Sequence, residues 1–248
     1  MSPATVVLTA SAGAFPGLVE ALRAIPVAVE DAPLMSFAPP LDWGPVDDAV
    51  RDLTRYGAVA FTSPRSARAF AGRLGTLGVV PPSGTAAWAA GAGTAQALGD
   101  GLGPIRRPDE RAVADRGAAA ALADALIASG LSAPVLFPCG DIRRDELPSR
   151  LRDAGVEVVE VVCYRSVLAG EAEARKTADR AQVLVVASPS VADLLARACP
   201  PGVRPALVAV GPTTAAAARA SGWPPALVAS RPTAEALAAA VRALLATR

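Results

Sequence analysis

Residues Leu207–Gly222 read LVAVGPTTAAAARASG: a short apolar run, a small-residue turn and an alanine-rich run in direct succession. Val208–Gly211 has the small apolar character of a strand buried on both faces. Pro212, or a residue beside it, can open a helix, because the first helical amides lack partners in any case. The run from Ala215 has high helix propensity. Thr213 and Thr214 then fall where the carboxyl end of a strand meets the amino end of a helix. Hydroxyls and free backbone N–H groups converge there on one crevice, a geometry that suits an anionic ligand without any lysine.

The same pattern recurs along the chain. Ala58–Phe61 leads through Thr62-Ser63-Pro64 into a helical run from Arg65. Ala87–Ala90 leads through Gly91–Thr94 into Ala95–Leu98, and Val183–Ala187 through Ser188-Pro189-Ser190 into Val191–Ala198. Val6–Leu8 with Thr9-Ala10-Ser11, and Leu227–Ala229 with Ser230–Thr233, follow it more loosely. Any one of these is equally an ordinary strand-to-helix turn with its N-cap. Their recurrence in pairs points to related α/β halves that present strand ends to a common space.

Composition narrows the chemistry. A chain of 248 residues suits one large domain or two smaller ones. A net charge of +1 argues against a dedicated nucleic-acid surface. No apolar run reaches the length of a membrane-spanning helix. The start, MSPATVVLTASAG, lacks a basic n-region and goes straight into a strand, so no signal peptide is read. Cys139, Cys163 and Cys199 are scattered, without metal-ligand spacing, and fit a reducing cytoplasm. The sequence holds no histidine, which removes Ser-His-Asp triads, Cys-His pairs and imidazole proton shuttles together. No Walker sequence is present, and Gly91-Ala92-Gly93 lacks the acidic residue a dinucleotide loop needs, so no cofactor is expected.

Helices are predicted over Pro16–Ala24, Trp43–Leu53, Arg65–Leu74, Arg116–Ser129 and Ile142–Ala154; Val79–Gly84 reads as a loop, and Gly99–Pro108 is rich in Gly and Pro. Pro138–Asp141 reads as a turn, which puts Arg143 and Arg144 in the first turn of the helix after it. Cations are disfavoured there, so they are either solvated surface or face an acidic ligand. Val156–Val167, VEVVEVVCYRSV, is a β-type run that would span about 40 Å, roughly twice a usual strand. Such a strand can serve one domain with its first half and leave it with its second, paired with the extended segment 34–39. The expected fold is α/β, two flavodoxin-like parallel-sheet domains joined by a two-stranded β-ladder. The first domain is discontinuous, 1–33 plus 168–248; the second is 40–163; segments 34–39 and 164–167 connect them.

Seven stretches resemble the uroporphyrinogen-III synthase family. They are Phe61–Arg65, Gly91–Thr94, Leu136–Asp141 with Leu147-Pro148, Val162–Ser166, Ser188–Ser190, Val210–Thr214 and Arg231–Thr233. Each is weak alone, but they stand in the family's order over nearly the whole chain. The resemblance implies two flavodoxin-like domains with the active site between them. It implies that hydroxymethylbilane, a linear tetrapyrrole with many carboxylates, loses its terminal hydroxyl and closes through a spiro intermediate with inversion of the last ring. Water leaves and no cofactor or metal is needed. The enzyme's task is mainly orientation. The resemblance makes Tyr164 the functional tyrosine, a weak general acid toward the departing hydroxyl; a plain packing role on the strand is the other reading. It makes Thr62, Ser63, Thr94, Ser188, Ser190, Thr213 and Thr214 carboxylate-binding hydroxyls, with Arg65 adding charge. Cys139 reads as small buried packing. Composition leads to the expectation of a cytoplasmic protein with no membrane or nucleic-acid partner, and the resemblance adds a transient hand-over from the preceding pathway enzyme; nothing in the sequence demands more than a monomer.

The chain departs from the family's pattern at Ala10, where many bacterial relatives carry an arginine, and at Ser166, where threonine is usual. Trp88 has no role that the sequence assigns. Two rival readings remain at this point: a non-catalytic two-lobed protein binding an anionic small molecule, and a related domain recruited to regulation.

Overall fold

The computed structural model describes residues 3–11, 13–202 and 204–247. In chain order the elements begin with β1 (Ala4–Leu8), α1 (Leu18–Arg23), β2 (Val27–Asp31) and β3 (Met35–Ala38). Next come α2 (Gly44–Arg51), a 3-10 turn at Leu53–Arg55, β4 (Ala58–Phe61), α3 (Pro64–Leu77), β5 (Ala87–Ala89), α4 (Ala92–Leu98) and β6 (Ile105–Arg106). Then follow α5 (Glu110–Arg116), α6 (Ala118–Ala128), β7 (Val135–Gly140), α7 (Glu146–Asp153) and β8 (Val158–Leu168). The chain closes with α8 (Glu171–Asp179), β9 (Val183–Val186), α9 (Pro189–Ala198), β10 (Ala206–Ala209), α10 (Pro212–Ala220), β11 (Leu227–Val228) and α11 (Ala234–Ala246).

The chain divides into two compact units, Met1–Ser36 with Val167–Arg248, and Phe37–Ser166. Each division falls inside a strand, β3 for one and β8 for the other. The first unit's sheet has the order β11-β10-β9-β1-β2 with every pair parallel. Numbered within the unit this is 2-1-3-4-5, the flavodoxin order. The second unit's sheet runs β3-β8-β7-β4-β5-β6, parallel from β8 to β6. Its parallel strands follow the other common doubly wound order, 3-2-1-4-5.

Alternate residues of each strand build opposite faces, because successive side chains point to opposite sides. In the first unit Val7, Leu184, Val186, Leu207 and Ala209 join α8, α9 and α10 in one core cluster. Val6, Leu8, Val183, Val185 and Val208 join α1 and α11 in the other. In the second unit Val59, Phe61, Ala87, Ala89 and Leu136 pack with α2, α3 and α4. Ala58, Ala60, Trp88, Val135 and Phe137 pack with α6 and α7. The strands supply mostly small side chains, so single large residues carry much of the burial. Phe61 meets Phe70 edge-on at 5.6 Å between ring centres, and each buried ring contributes about 1.5–3 kcal/mol. Trp88 fills the face toward α6 and α7, with the Arg106 guanidinium 5.6 Å from its ring centre.

Several expectations are corrected. The helix expected over Arg116–Ser129 is α6, Ala118–Ala128, and Gly117, with φ 88 and ψ 156, separates it from a further helix, α5, ahead of it. That conformation is open to glycine almost alone. Helix α5 has no counterpart among the helices expected from the sequence; it starts at Glu110, where the Asp109 carboxylate accepts from the Arg111 and Ala112 N–H groups. The Gly- and Pro-rich region Gly99–Pro108, to which the sequence reading assigns no element, contains the short strand β6. Pro138-Cys139-Gly140 is not a turn but the end of β7. Proline is tolerated because β4 pairs only with Val135 and Leu136, so β7 has one neighbour beyond them. The following helix starts at Glu146, so Arg143 and Arg144 precede it rather than occupying its first turn.

Candidate active site

In doubly wound sheets a ligand crevice forms outside the carboxyl ends of the strands where their order reverses. In the second unit that point lies between β4 and β7. Thr62 and Ser63 follow β4 directly. The Ser63 hydroxyl caps α3 by accepting from the Ser66 N–H at 3.1 Å, and Pro64 takes the first helical position. Ser63 is therefore already engaged in starting the helix, and Thr62 beside it is half-buried. Arg65 stands in the helix's first turn. Its guanidinium carbon lies 3.2 Å from the Phe37 ring centre and 5.6 Å from that of Tyr164. Burial pushes the Arg65 pKa down, and the neighbouring Tyr164 phenol works against that shift.

Tyr164 comes from β8, which pairs in parallel with β7. The Phe37 and Tyr164 rings meet edge-on, 5.8 Å apart at 77°. The Tyr164 ring also lies against Gly140, the last residue of β7. A cavity of about 370 Å³ opens at this point, lined among others by Thr62, Ser63, Cys139, Gly140, Arg144 and Tyr164. Arg143 also lines it but is bound to Glu160, which holds Arg152 as well. The hydrogen bond from Arg143 holds the Glu160 carboxyl below the usual carboxylate range, Arg152 assists, and burial opposes them. Cys139 is buried, and its thiol is pushed up to about 11 by that burial, so it presents no thiolate.

The first unit repeats the arrangement around different residues. Its order reverses between β1 and β9. A cavity of about 200 Å³ there is lined by Leu8, Ala10, Ser11, Asp31 and Val185, among others. Ser188 is the N-cap residue of α9 and its side chain makes no capping bond; half-buried Ser190 lies in the same turn. Gly211 caps α10, so Thr213 and Thr214 lie inside its first turn. Helical phase separates the two. Thr213 is exposed, whereas Thr214 retains 4% of its surface. Thr94 has the same place after the Gly91 cap of α4 and is likewise 4% exposed. The sequence groups these threonines as equals, and the fold does not.

Chemically, the second unit offers a phenol against a glycine, an aromatic edge and a guanidinium beside it, and hydroxyls at strand ends. Such a set can donate hydrogen bonds and protons to a leaving oxygen and bind carboxylates. Among the described residues no cluster of His, Cys, Asp and Glu could hold a metal ion. None of their helices is long and apolar enough to cross a membrane. Sequence reasoning missed Phe37 and Gly140 as neighbours of Tyr164. The pairing of 34–39 with 164–167 already held the signal for Phe37, and the glycine ending the Leu136–Asp141 motif held that for Gly140.

Comparison with known proteins bears on this geometry. The family model described as uroporphyrinogen-III synthase HemD matches residues 17–239. No curated protein matches the sequence. Among solved structures, uroporphyrinogen-III synthetase from Helicobacter pylori is similar at 18% identity, over 99% of this chain and 100% of that one, with a TM-score of 0.64. A mutant uroporphyrinogen III synthase from Thermus thermophilus is similar at 16% identity, over 99% and 100%, with a TM-score of 0.62. At such identities the likeness bears on fold, while the family model covers most of the sequence. The chain belongs to the uroporphyrinogen-III synthase family.

Proposed function

We infer that this chain carries out its family's reaction, closing hydroxymethylbilane to uroporphyrinogen III with inversion of the terminal pyrrole ring and loss of water. The observation that carries the residue-level reading is the setting of Tyr164. Its ring lies on Gly140, edge-on to Phe37, with Arg65 close by and a cavity in front. In this reading the phenol donates to the departing hydroxyl as a weak general acid. Unassisted closure gives the non-inverted isomer, so the remaining task is to hold the terminal ring for attack at its substituted carbon.

Thr62, Ser63, Arg65, Thr94, Ser188, Ser190, Thr213 and Thr214 bind substrate carboxylates in this reading, together with helix-end amides. Thr94 and Thr214, 4% exposed, contribute least by direct contact. Binding spread over so many donors makes each single deletion mild. The substrate is a linear tetrapyrrole, received in transient hand-over from the enzyme that makes it. We place the protein in the cytoplasm as a monomer. The non-catalytic binding protein is not favoured by the family match, and nothing observed favours the regulatory domain.

The test is turnover of hydroxymethylbilane generated in situ, with chromatographic separation of the type I and type III isomers after oxidation. Type III product above the spontaneous rate is expected. Type I alone, at the spontaneous rate, overturns the reading in favour of a binding protein.

A further inference from the structure

The β7–β8 ladder slips by one residue beside Tyr164. Cys139 stands opposite Val162, yet Gly140 stands opposite Tyr164. Cys163 is thus the extra residue of a β-bulge, a device that re-aims a side chain and bends its strand. In a regular ladder Gly140 would face Cys163, and Tyr164 would face Asp141. A one-residue change of register turns each side chain to the other face of the sheet. The bulge therefore decides where the phenol points.

Two residues hold that arrangement. A Cβ built on Gly140 would lie 2.6 Å from Tyr164 Cζ, and 2.7 Å from both Cε2 and the phenol oxygen. No side chain fits there while the ring stays. The glycine's need here is for space and not for an unusual backbone angle, since its φ is not positive. Asp141 secures the strand beyond the bulge. Its N–H donates to the Tyr164 carbonyl at 3.1 Å. Its Oδ1 accepts from the Ser166 N–H and the Ile142 N–H, each at 2.8 Å. The backbone is thus gripped at Tyr164 and again two residues later, across the slipped register.

We propose that Gly140 and Asp141 are positioning residues for the Tyr164 phenol, Gly140 as the surface on which the ring lies and Asp141 as the clip that keeps the bulge. This rests on the reading of Tyr164 as the acid. Asp141 stands apart from the cavity lining and Gly140 borders it beneath the ring, and in this scheme neither offers the substrate a reacting group. Both act on rate through the phenol, and misplacing a reacting group by about 1 Å can cost about a hundredfold.

The test uses the full chain with 3-fluorotyrosine incorporated. Its tyrosines number 2, Tyr56 and Tyr164, so fluorine NMR reads the ring separately from activity. Gly140→Ala is expected to shift the Tyr164 resonance and leave that of Tyr56. It should lower kcat about tenfold or more with KM within about twofold. Asp141→Ala should do the same, and Asp141→Asn, which keeps an acceptor oxygen, should restore both readings. In a Tyr164→Phe background, Gly140→Ala should cost little further kcat, because both act through one group.

An unmoved resonance with unchanged kcat overturns the proposal. So does a full, additive loss in the Tyr164→Phe background, which would mark a general structural effect. If Gly140→Ala does not fold, the Asp141 pair decides by the same readings. Full turnover by Tyr164→Phe itself overturns the reading of Tyr164 and the catalytic half of the proposal, while the resonance still decides the seat.

Discussion

The Arg65 guanidinium lies over the face of the Phe37 ring, with Cζ 3.2 Å from the ring centre. A partly desolvated cation over an aromatic face contributes about 0.5–2 kcal/mol, and only a planar guanidinium can also stack. Arg65→Lys and Phe37→Leu should each lower the melting temperature by about 2–4 °C per kcal/mol lost. The double variant should lose less than the sum, because both changes delete one contact. Differential scanning calorimetry on the set measures this, and strictly additive losses would show that the contact stabilises nothing.

Glu160 should make stability depend on pH in a definite direction. Its folded pKa is depressed, first by the Arg143 hydrogen bond and then by Arg152, against the effect of burial. A depressed carboxyl pKa contributes stability that is complete above the unfolded value and is lost as pH falls through the folded one. Glu160→Gln should therefore cost about 1–3 kcal/mol near neutrality. The gap to the parent should shrink once pH falls below about 4. Urea unfolding over a pH series checks it, and a gap independent of pH would remove the charge from the explanation.

The cysteines should be silent in the native protein. Burial pushes Cys139 up to about 11 and Cys163 up to about 12, and raises Cys199 as well. All three side chains are buried. Iodoacetamide at about pH 8 should label none of them natively and all of them in urea, as counted by mass spectrometry. Rapid native labelling of any one would mean that its element opens locally.

Gly117 should resist replacement. Its φ of 88 and ψ of 156 lie where a residue with a Cβ is strained by about 1–3 kcal/mol. Gly117→Ala should lower the urea midpoint accordingly. An unchanged midpoint with higher helical circular dichroism would mean that α5 and α6 had merged into one helix.

Much of this fold is written in local pattern. Strand, small turn and helix recur from Ala58, from Val183 and from Leu207, and each became β4–α3, β9–α9 and β10–α10. Buried parallel strands and helices that begin at Ser, Gly or Pro carry their signals within a few residues. The boundaries that went astray lie around Gly117 and Ile142. Helices flank Gly117 on both sides, whereas the stretch between β7 and Glu146 is not helical. Glycine's positive-φ backbone divides the helices at 117, and ahead of α7 Arg143 is held by Glu160 while Asp141 accepts from the Ile142 N–H.

The candidate site divides along the same line. Tyr164, Thr62 and Ser188 could be singled out because each stands in a recognisable turn or strand motif. That Thr213 is exposed while Thr214 is buried depends on helical phase against a neighbouring layer. That Phe37, Arg65, Gly140 and Tyr164 form one group depends on contacts among segments far apart in the chain. Periodicity and propensity act over a turn or two of chain, so residue order alone could specify the elements and their likeness to a family. Ring packing, a slipped register and the burial of one hydroxyl beside another arise only when distant segments meet, and there only the folded molecule decides.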